Sequence, residues 1–367
     1  MLSPTRQVAL IAVIDANAGF RTQVAQVLVS LYRVNEYPDA ERALHGLRAA
    51  PPELILVDEQ IAPRGGCDLI TQVRREPALA AIPVVITSKR EPSVISETLR
   101  QCGADGYLAK PFRRSSLINL VTSMINKQVE ANWENLPVRA RTALKGTVEV
   151  FNNISDFIAA GEPVPFESVK DACGPLIDAV ANNDFRGILS GVREHDNYSY
   201  AHSMRVATLL SLFGHTLGLP QADQLVLASG GLLHDTGKIS IPHEVLNKPG
   251  RLTEEEFSVM KSHVTETIKF LDLAQDIPKP VIVIGAQHHE KIDGTGYPFG
   301  LKGAQLNDLA RMASIVDVFS ALTDRRVYKP PMAAEVALGI MTDQMSRHLD
   351  QNFVTLFKTM LLDAVVD

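Results

Sequence analysis

The sequence predicts two domains of different fold class, an N-terminal α/β domain with a doubly wound, five-stranded parallel sheet and a C-terminal all-α helical bundle. The chain has 367 residues, more than the roughly 100 to 200 residues of one ordinary domain. Short apolar runs alternate with helix-length segments in the first 125 residues, which is typical of a parallel sheet. From about residue 186 onward the apolar positions keep a helical period, which favours a bundle.

Composition places the chain among globular proteins, since apolar residues make up 46% and charged residues 21%. The formal net charge of -6 argues against a nucleic-acid polymer or an anionic membrane as partner, because both require a net basic field. A local basic cluster could still bind a small phosphorylated ligand.

Cysteine usage and hydropathy predict a cytoplasmic protein. Cys67, Cys102 and Cys173 are widely spaced and lie outside any CxxC pattern, which indicates neither a disulfide framework nor a thiolate metal site. No run of eighteen apolar residues occurs, and the apolar segment 8–14 is too short for a signal sequence or a membrane span. We therefore expect no membrane partner.

Four apolar runs in the first part read as buried strands, at residues 8–14, 54–57, 84–87 and 106–108. Polar residues stand at their ends, and in parallel sheets the carboxyl ends of strands meet at one ligand-binding edge. These residues are Asp15, Asp58, Thr87 and Lys110. A carboxylate, a hydroxyl and an ammonium are the groups needed to accept a phosphoryl group and hold its oxygens.

The segments LILVDEQIAPRGG, VVITSKR and YLAKPF resemble the receiver domains of two-component response regulators, which have a flavodoxin-like fold. The resemblance implies that Asp58 is the phosphoacceptor, Thr87 the switch hydroxyl and Lys110 the phosphate-binding lysine, with a histidine kinase as phosphodonor. Receivers carry two adjacent acids after the first strand to hold Mg2+, but here Ala16 follows Asp15. We expect a weak Mg2+ site, and a pseudo-receiver used only for docking or dimerisation is the alternative.

A helical connector is predicted between the domains. Apolar residues recur at helical spacing over residues 115–129, and the helical pattern over 137–185 is interrupted by turn formers at 161–163 and 174–175. The predicted boundaries are 1–125, 126–185 and 186–367. The connector either transmits a signal through dimerisation or packs on the second domain, and the lack of sustained heptads favours packing. Trp133, which lies in the connector, is likewise predicted to pack in the core.

Histidines and acids cluster in the second domain. Most of the ten histidines lie between His195 and His289, and neutral imidazoles with carboxylates suit Fe, Mn, Co, Ni or Zn. Helical bundles hold such sites between facing helices. The sequence therefore predicts a metal centre in the helical domain.

The segments YSYAHSMRVA, LLHDTGKISIPHEVLNKPGRLTEEE, MKSHVTET, HHEKIDGTGYPFGLKG and RMASIVDVFSALTDRRVYK resemble the HD-GYP family of metal-dependent phosphohydrolases. Some members bind a third metal through a Glu four residues before the first histidine. Tyr198 stands there, so we expect two metals. The resemblance implies these ligands: His202, His234, Asp235, His263, His288, His289 and Asp317.

The expected mechanism is hydrolysis by a metal-activated hydroxide. Asp235 is the expected bridging ligand, and Lys238 is expected to neutralise charge on the phosphoryl oxygens. Fe or Mn is the expected metal, while Ni, Co or Zn could be acquired during purification. The resemblance also implies a set of substrate-binding residues, namely Gly294, Gly296, Tyr297, Arg326 and Lys329.

The sequence thus predicts a response regulator that hydrolyses cyclic di-GMP to the linear dinucleotide pGpG. The alternatives are a 3′,3′-cGAMP phosphodiesterase and a signalling adaptor that binds a dinucleotide or a protein without turnover. A homodimer through the receiver or the connector is compatible with either function.

Overall fold

In the computed structural model, the described residues are 9–366, apart from residues 30, 194, 247, 249 and 325–331. Contacts divide the chain into two compact units, one ending at Gln128 and the other beginning at Val129. The predicted connector from residue 129 onward therefore belongs to the second unit. The exact domain boundaries drawn from the sequence stay a proposal.

The N-terminal unit is a parallel α/β sheet. Its five strands have the order β2-β1-β3-β4-β5, and separate apolar clusters cover them. The predicted doubly wound fold is confirmed. The strands are β1 (Leu10–Ile14), β2 (Arg33–Tyr37), β3 (Leu54–Asp58), β4 (Val84–Ser88) and β5 (Gly106–Ala109). The helices are α1 (Ala18–Leu28), α2 (Ala40–Ala49), α3 (Gly66–Arg75), α4 (Pro92–Cys102) and α5 (Arg114–Asn132).

Strand β2 has no counterpart among the four apolar runs. Its sequence is RVNEY, and it pairs on one side only, with β1. An edge strand is half-solvated and does not need a continuous apolar run. The apolar pattern therefore reveals the buried strands but not this one.

The second unit is all-helical in the residues that the structure describes, and this prediction is confirmed. One large apolar cluster joins its helices. They are α6 (Val138–Ala160), α7 (Phe166–Ala181), α8 (Phe185–Val192), α9 (Tyr198–Thr216), α10 (Gln221–Leu233), α11 (His243–Leu246), α12 (Glu254–Asp272), α13 (Lys279–Gln287), α14 (Asp308–Thr323), α15 (Ala334–Asp343) and α16 (Gln351–Val366).

Helix α7 corrects one prediction, because it runs through the turn formers Gly174 and Pro175 without ending. A proline inside a helix removes one backbone hydrogen bond. The helix nevertheless buries Val169, Cys173 and Leu176 in the core, and this burial outweighs the local preference for a turn. Of the two predicted breaks, only the one after α6, at Gly161, ends a helix.

Trp133 anchors the start of the helical unit. Its side chain is 1% exposed, its Nε1 donates to the carbonyl oxygen of Gly191 at 2.9 Å, and its ring stacks on His195 at 5.9 Å. The tryptophan therefore packs in the core, as the sequence predicts. Within the described residues, no helix has both the length and the hydropathy of a membrane span.

Trp133→Ala should lower the free energy of unfolding of the helical unit by about 3–5 kcal/mol, since it leaves a large cavity and an unpaired Gly191 carbonyl. Chemical denaturation followed by circular dichroism measures this. Val138→Ala is the control, because Val138 is 67% exposed and its truncation should cost less than about 0.5 kcal/mol. Equal midpoints for the two variants would contradict the anchoring role.

Candidate metal centre and receiver site

All seven residues that the sequence predicts as metal ligands come together in the helical unit. They form two groups, and within each group the candidate ligand atoms lie within 4.8 Å of one another. The first group is His202, His234 and Asp317, and the second is Asp235, His263, His288 and His289. Six of the seven are buried and His289 is partly exposed. Their role as ligands is considered below as a proposal.

Five helices bring these side chains together. His202 lies in the second turn of α9, whose first turn is capped by the side chain of Asn197. His234 and Asp235 follow α10, and His288 and His289 follow α13, so both pairs sit at helix ends. Single ligands come from within helices, His263 from α12 and Asp317 from α14.

Three imidazoles are oriented by the backbone. The Nδ1 atoms of His234, His263 and His288 lie 2.8, 2.6 and 2.9 Å from the carbonyl oxygen three positions earlier. A carbonyl oxygen can only accept, so each Nδ1 carries a proton, and in the neutral ring the Nε2 lone pair is the one that can bind a cation. Backbone geometry therefore presets the tautomer that a metal ligand needs.

Four buried atoms of this cluster have no hydrogen-bond partner among the described residues: Nε2 of His234, His263 and His288, and Oδ1 of Asp235. Buried polar atoms are normally paired, because an unpaired one costs about 1–3 kcal/mol. Nitrogen and carboxylate donors that converge without partners fit divalent cations. The residues present therefore fit the metals that the sequence predicts.

The carboxylate of Asp235 lies between the two groups. Its Oδ2 is 3.2 Å from Nε2 of His234 and 3.7 Å from that of His202. Its Oδ1 is 3.3 Å from Nε2 of His263 and 3.8 Å from that of His288. One oxygen thus faces each group, which is the arrangement of a bridging ligand.

The cluster holds ionised acids next to neutral imidazoles. Burial would raise the pKa of Asp235, but the charges of His234 and Lys238 outweigh it and hold that pKa well below its usual value. Burial lowers the pKa of His289 to about 4 and that of His288 well below its usual value. The pKa values of His202 and His234 shift the other way: although burial opposes protonation of both rings, Asp317 and Asp324 raise the pKa of His202, and Asp235 raises that of His234 to about 10.

Asp324 is a functional candidate that the sequence analysis missed. Its Oδ2 lies 2.8 Å from Nδ1 of His202, and its Oδ1 accepts from Nη1 of Arg205 at 2.9 Å. His202 is thus oriented by a carboxylate, whereas His234, His263 and His288 use carbonyl oxygens. The available signal was the spacing of seven residues from Asp317 to Asp324, which is two helical turns; in the structure α14 ends at Thr323 and Asp324 follows it directly.

Glu290 is a second missed residue. It is 2% exposed, and its carboxylate accepts from the backbone nitrogens of Phe299, Gly300 and Leu301 at 2.6, 3.1 and 3.0 Å. Since Glu290 follows the pair His288-His289, it ties the loop 293–301 to the candidate ligands. The signal in the sequence was an acid directly after two adjacent histidines.

The loop places its predicted substrate residues in different settings. The Tyr297 ring packs on the His289 ring at 4.8 Å, and burial raises the pKa of its hydroxyl, which stays protonated. A Cβ at Gly296 would lie 2.5 Å from Cα of Glu290, and Gly294 has φ +81°. Both glycines are thus required by the folding of the loop itself, and their contact with substrate stays a prediction. Arg326 and Lys329 lie outside the described residues.

The predicted receiver residues also meet at one edge of their sheet. Nζ of Lys110 lies 2.6 Å from Oδ2 of Asp15 and 2.6 Å from Oδ2 of Asp58, and Thr87 on β4 is in register with Asp58 on β3. Ala16 is exposed beside Asp15. Two carboxylates can hold a Mg2+ that keeps most of its waters, so the residues present fit this cation with one acid fewer than usual.

Asp324→Asn should lower the metal affinity of the helical unit about 10- to 100-fold, because an amide no longer sets the orientation of His202 and the basicity of its ring. Metal titration monitored by calorimetry measures the change. Asp343→Asn is the control, since Asp343 is an exposed acid at the end of α15. Unchanged affinity in the Asp324 variant would exclude the orienting role.

Comparisons with known proteins agree with this two-part architecture. The model of the response regulator receiver domain family matches residues 11–122, and the model of the HD domain family matches residues 191–353. A cyclic di-GMP phosphodiesterase response regulator of Xanthomonas campestris pv. campestris is 27% identical over 348 residues, which cover 94% of this chain and 85% of that protein.

Two further proteins are similar over a smaller share of this chain. A 3′3′-cGAMP-specific phosphodiesterase of Vibrio cholerae is 35% identical over 153 residues, or 42% of this chain and 33% of that protein. The structure of an HDG"Y"P protein of Bdellovibrio bacteriovorus has a TM-score of 0.52 at 19% identity and covers 69% of this chain and 88% of that one. This last likeness concerns the fold alone. The chain therefore joins a response regulator receiver domain to a domain of the HD family.

Proposed function

We propose that this response regulator is a metal-dependent phosphodiesterase that hydrolyses cyclic di-GMP to pGpG. The observation that carries the proposal is the position of Asp235, with one carboxylate oxygen toward each of two groups of buried metal-ligand side chains. Two adjacent cation sites that share a carboxylate are the usual arrangement for in-line displacement at phosphorus. The named activity of the relative that matches 94% of this chain supports the same reaction.

The seven candidate ligands would hold two divalent cations. When bound, such cations polarise phosphoryl oxygens and lower the pKa of water. The protein's own contribution is to place two ionised carboxylates and five imidazoles before the substrate arrives. Fe or Mn remains our expectation, because the ligand set contains no thiolate: Cys173 lies buried in the core and the other two cysteines belong to the receiver unit.

Lys238 is proposed to act on the substrate. Its ammonium donates to Oδ2 of Asp235, and its side chain is 26% exposed. A cation held against a shared carboxylate and still reachable from solvent can contact a phosphoryl oxygen as charge builds on it. The Tyr297 hydroxyl, which stays protonated, can donate a hydrogen bond. Arg326 and Lys329 are proposed for the remaining phosphate contacts, as the sequence resemblance implies.

Tyr198 supports the linear dinucleotide as the end product. Its ring stacks on the ring of His202 at 5.9 Å and an interplanar angle of 19°, and a phenol does not replace the carboxylate that a third metal would use. Two metals fit one hydrolytic step. A second candidate substrate is 3′,3′-cGAMP, which the relative at 35% identity favours.

Asp235→Ala should reduce kcat/KM for cyclic di-GMP at least about 1,000-fold and reduce the bound metal from two ions per chain to one or fewer. Anaerobic protein reconstituted with Fe(II) or Mn(II), chromatography of the products and metal analysis measure both effects. His215→Ala is the matched control, because His215 is an exposed histidine on α9.

The product distinguishes the remaining possibilities. Accumulation of pGpG supports the proposal, and rapid conversion to GMP would contradict the binuclear assignment. Turnover of 3′,3′-cGAMP in preference to cyclic di-GMP would identify 3′,3′-cGAMP as the substrate. Tight stoichiometric binding without any product, in protein that contains two metals per chain, would instead identify a signalling adaptor.

We propose further that Asp58 accepts a phosphoryl group from a histidine kinase. Its side chain is 20% exposed, which leaves it open to a donor, and Lys110 already contacts the oxygen Oδ2. Thr87 is 5% exposed and sits beside Asp58 on the neighbouring strand. These contacts support a functional receiver over a pseudo-receiver, although Ala16 removes one Mg2+ ligand.

Ala16→Asp should lower the Mg2+ concentration for half-maximal phosphorylation about tenfold, because it restores a second acid beside Asp15. Incubation with acetyl phosphate and separation of the phosphorylated chain measure this. Asp58→Asn provides the blank. If neither the wild-type protein nor the Ala16→Asp variant is phosphorylated at any Mg2+ concentration, the result would support the pseudo-receiver.

A further inference from the structure

An aromatic and basic surface lies beside the second ligand group, and the proposed mechanism uses only the Tyr297 hydroxyl of it. It consists of Phe257 and Lys261 on α12 together with Tyr297. We propose that this aromatic-basic surface binds one nucleobase of the substrate and the phosphate next to it. The inference deepens the proposed function and rests on it.

The three rings lead outward from the candidate metal centre. The Tyr297 ring packs on the ring of His289 at 4.8 Å. The Phe257 ring then meets Tyr297 edge to face, at 6.2 Å and 86°. His289 has a side chain 26% exposed, whereas Phe257 is 47% exposed. The outermost ring thus offers an apolar face to solvent within two ring contacts of a candidate ligand.

The chemistry of this surface suits a nucleotide. Bases stack on aromatic rings whatever their sequence, because every base has a π face. Nζ of Lys261 lies 5.3 Å from the centroid of the Phe257 ring, one helical turn away on the same face of α12. Among the described residues no carboxylate pairs with Lys261, so its charge is available for a phosphate.

The position of Phe257 is fixed before any ligand binds. Helix α12 begins with a capping box in which Thr253 and Glu256 satisfy each other's backbone nitrogens, and Phe257 donates its backbone N–H to the carbonyl oxygen of Thr253 at 2.8 Å. Because the backbone at Phe257 is held in this way, less entropy is lost when its ring binds a base. Specificity for a cyclic dinucleotide over a smaller phosphodiester follows from this second contact.

A structural role for Phe257 predicts something different. A residue at this point of a helix can pack against the residue before the cap, and its loss would then lower stability and reduce turnover through misfolding. A residue that contacts a base changes KM instead and leaves kcat largely unaltered. The two roles are therefore separable by kinetics.

The test compares Phe257→Ala, Phe257→Trp and Leu273→Ala in the full chain loaded with Mn(II), with cyclic di-GMP as substrate. Leu273 has the same exposure of 47% but lies 16 residues further along, about 24 Å away at the other end of α12. We expect Phe257→Ala to raise KM about tenfold with kcat within about twofold, since stacking on one ring is worth this much. Phe257→Trp should keep a normal KM, and Leu273→Ala should match wild type.

Three outcomes overturn the inference or its basis separately. Unchanged KM in Phe257→Ala, with wild-type turnover normal, overturns the base contact alone. A fall in kcat with unchanged KM and lower thermal stability identifies a structural residue. If wild type does not turn over cyclic di-GMP, the proposed function fails, and equilibrium dialysis of the same ligand decides the surface: a tenfold weaker Kd for Phe257→Ala supports it, and no binding to wild type excludes it.

Discussion

The shared carboxylate of Asp235 is the interaction on which the helical domain depends. An ionised acid that is only 7% exposed is costly to bury unless cations or donors surround it. Here the imidazole of His234 and the ammonium of Lys238 lie against one oxygen, and His263 faces the other. Five helices must therefore meet at one place, and the apolar core of the unit is arranged around that requirement.

The receiver meets the same constraint on a smaller scale. Asp15 and Asp58 approach each other at the edge of the sheet, and Lys110 lies between their oxygens. In both domains a lysine compensates the charge of acids that are held close together. The two sites differ in the residues that surround these acids. In the helical unit they are imidazoles on helices, whereas in the receiver unit only a few further side chains stand after the parallel strands.

Local patterns in the sequence predict most of the fold and the candidate ligands. The buried strands show as apolar runs, and His202 through Asp317 occur in motifs that are short and ordered along the chain. Contacts between distant segments left no such pattern. Asp324 meets His202 across 122 positions, and Glu290 recognises the backbone of a loop that only folding brings to it. Strand β2 is polar because it lies at an edge, and Pro175 remains helical because core burial outweighs its local preference.

The way in which Glu290 holds its loop has a consequence for how this protein can diverge. The carboxylate binds backbone nitrogens of residues 299–301 and none of their side chains. Backbone groups are the same in every residue except proline, so Phe299 and Leu301 can change side chain without releasing the loop, whereas Gly300, at φ +65°, favours glycine. The side chain of the exposed Phe299, at 59%, can thus change while Glu290 still holds the loop. The surface side chain at residue 299 can therefore change while the backbone of its loop stays bound to Glu290.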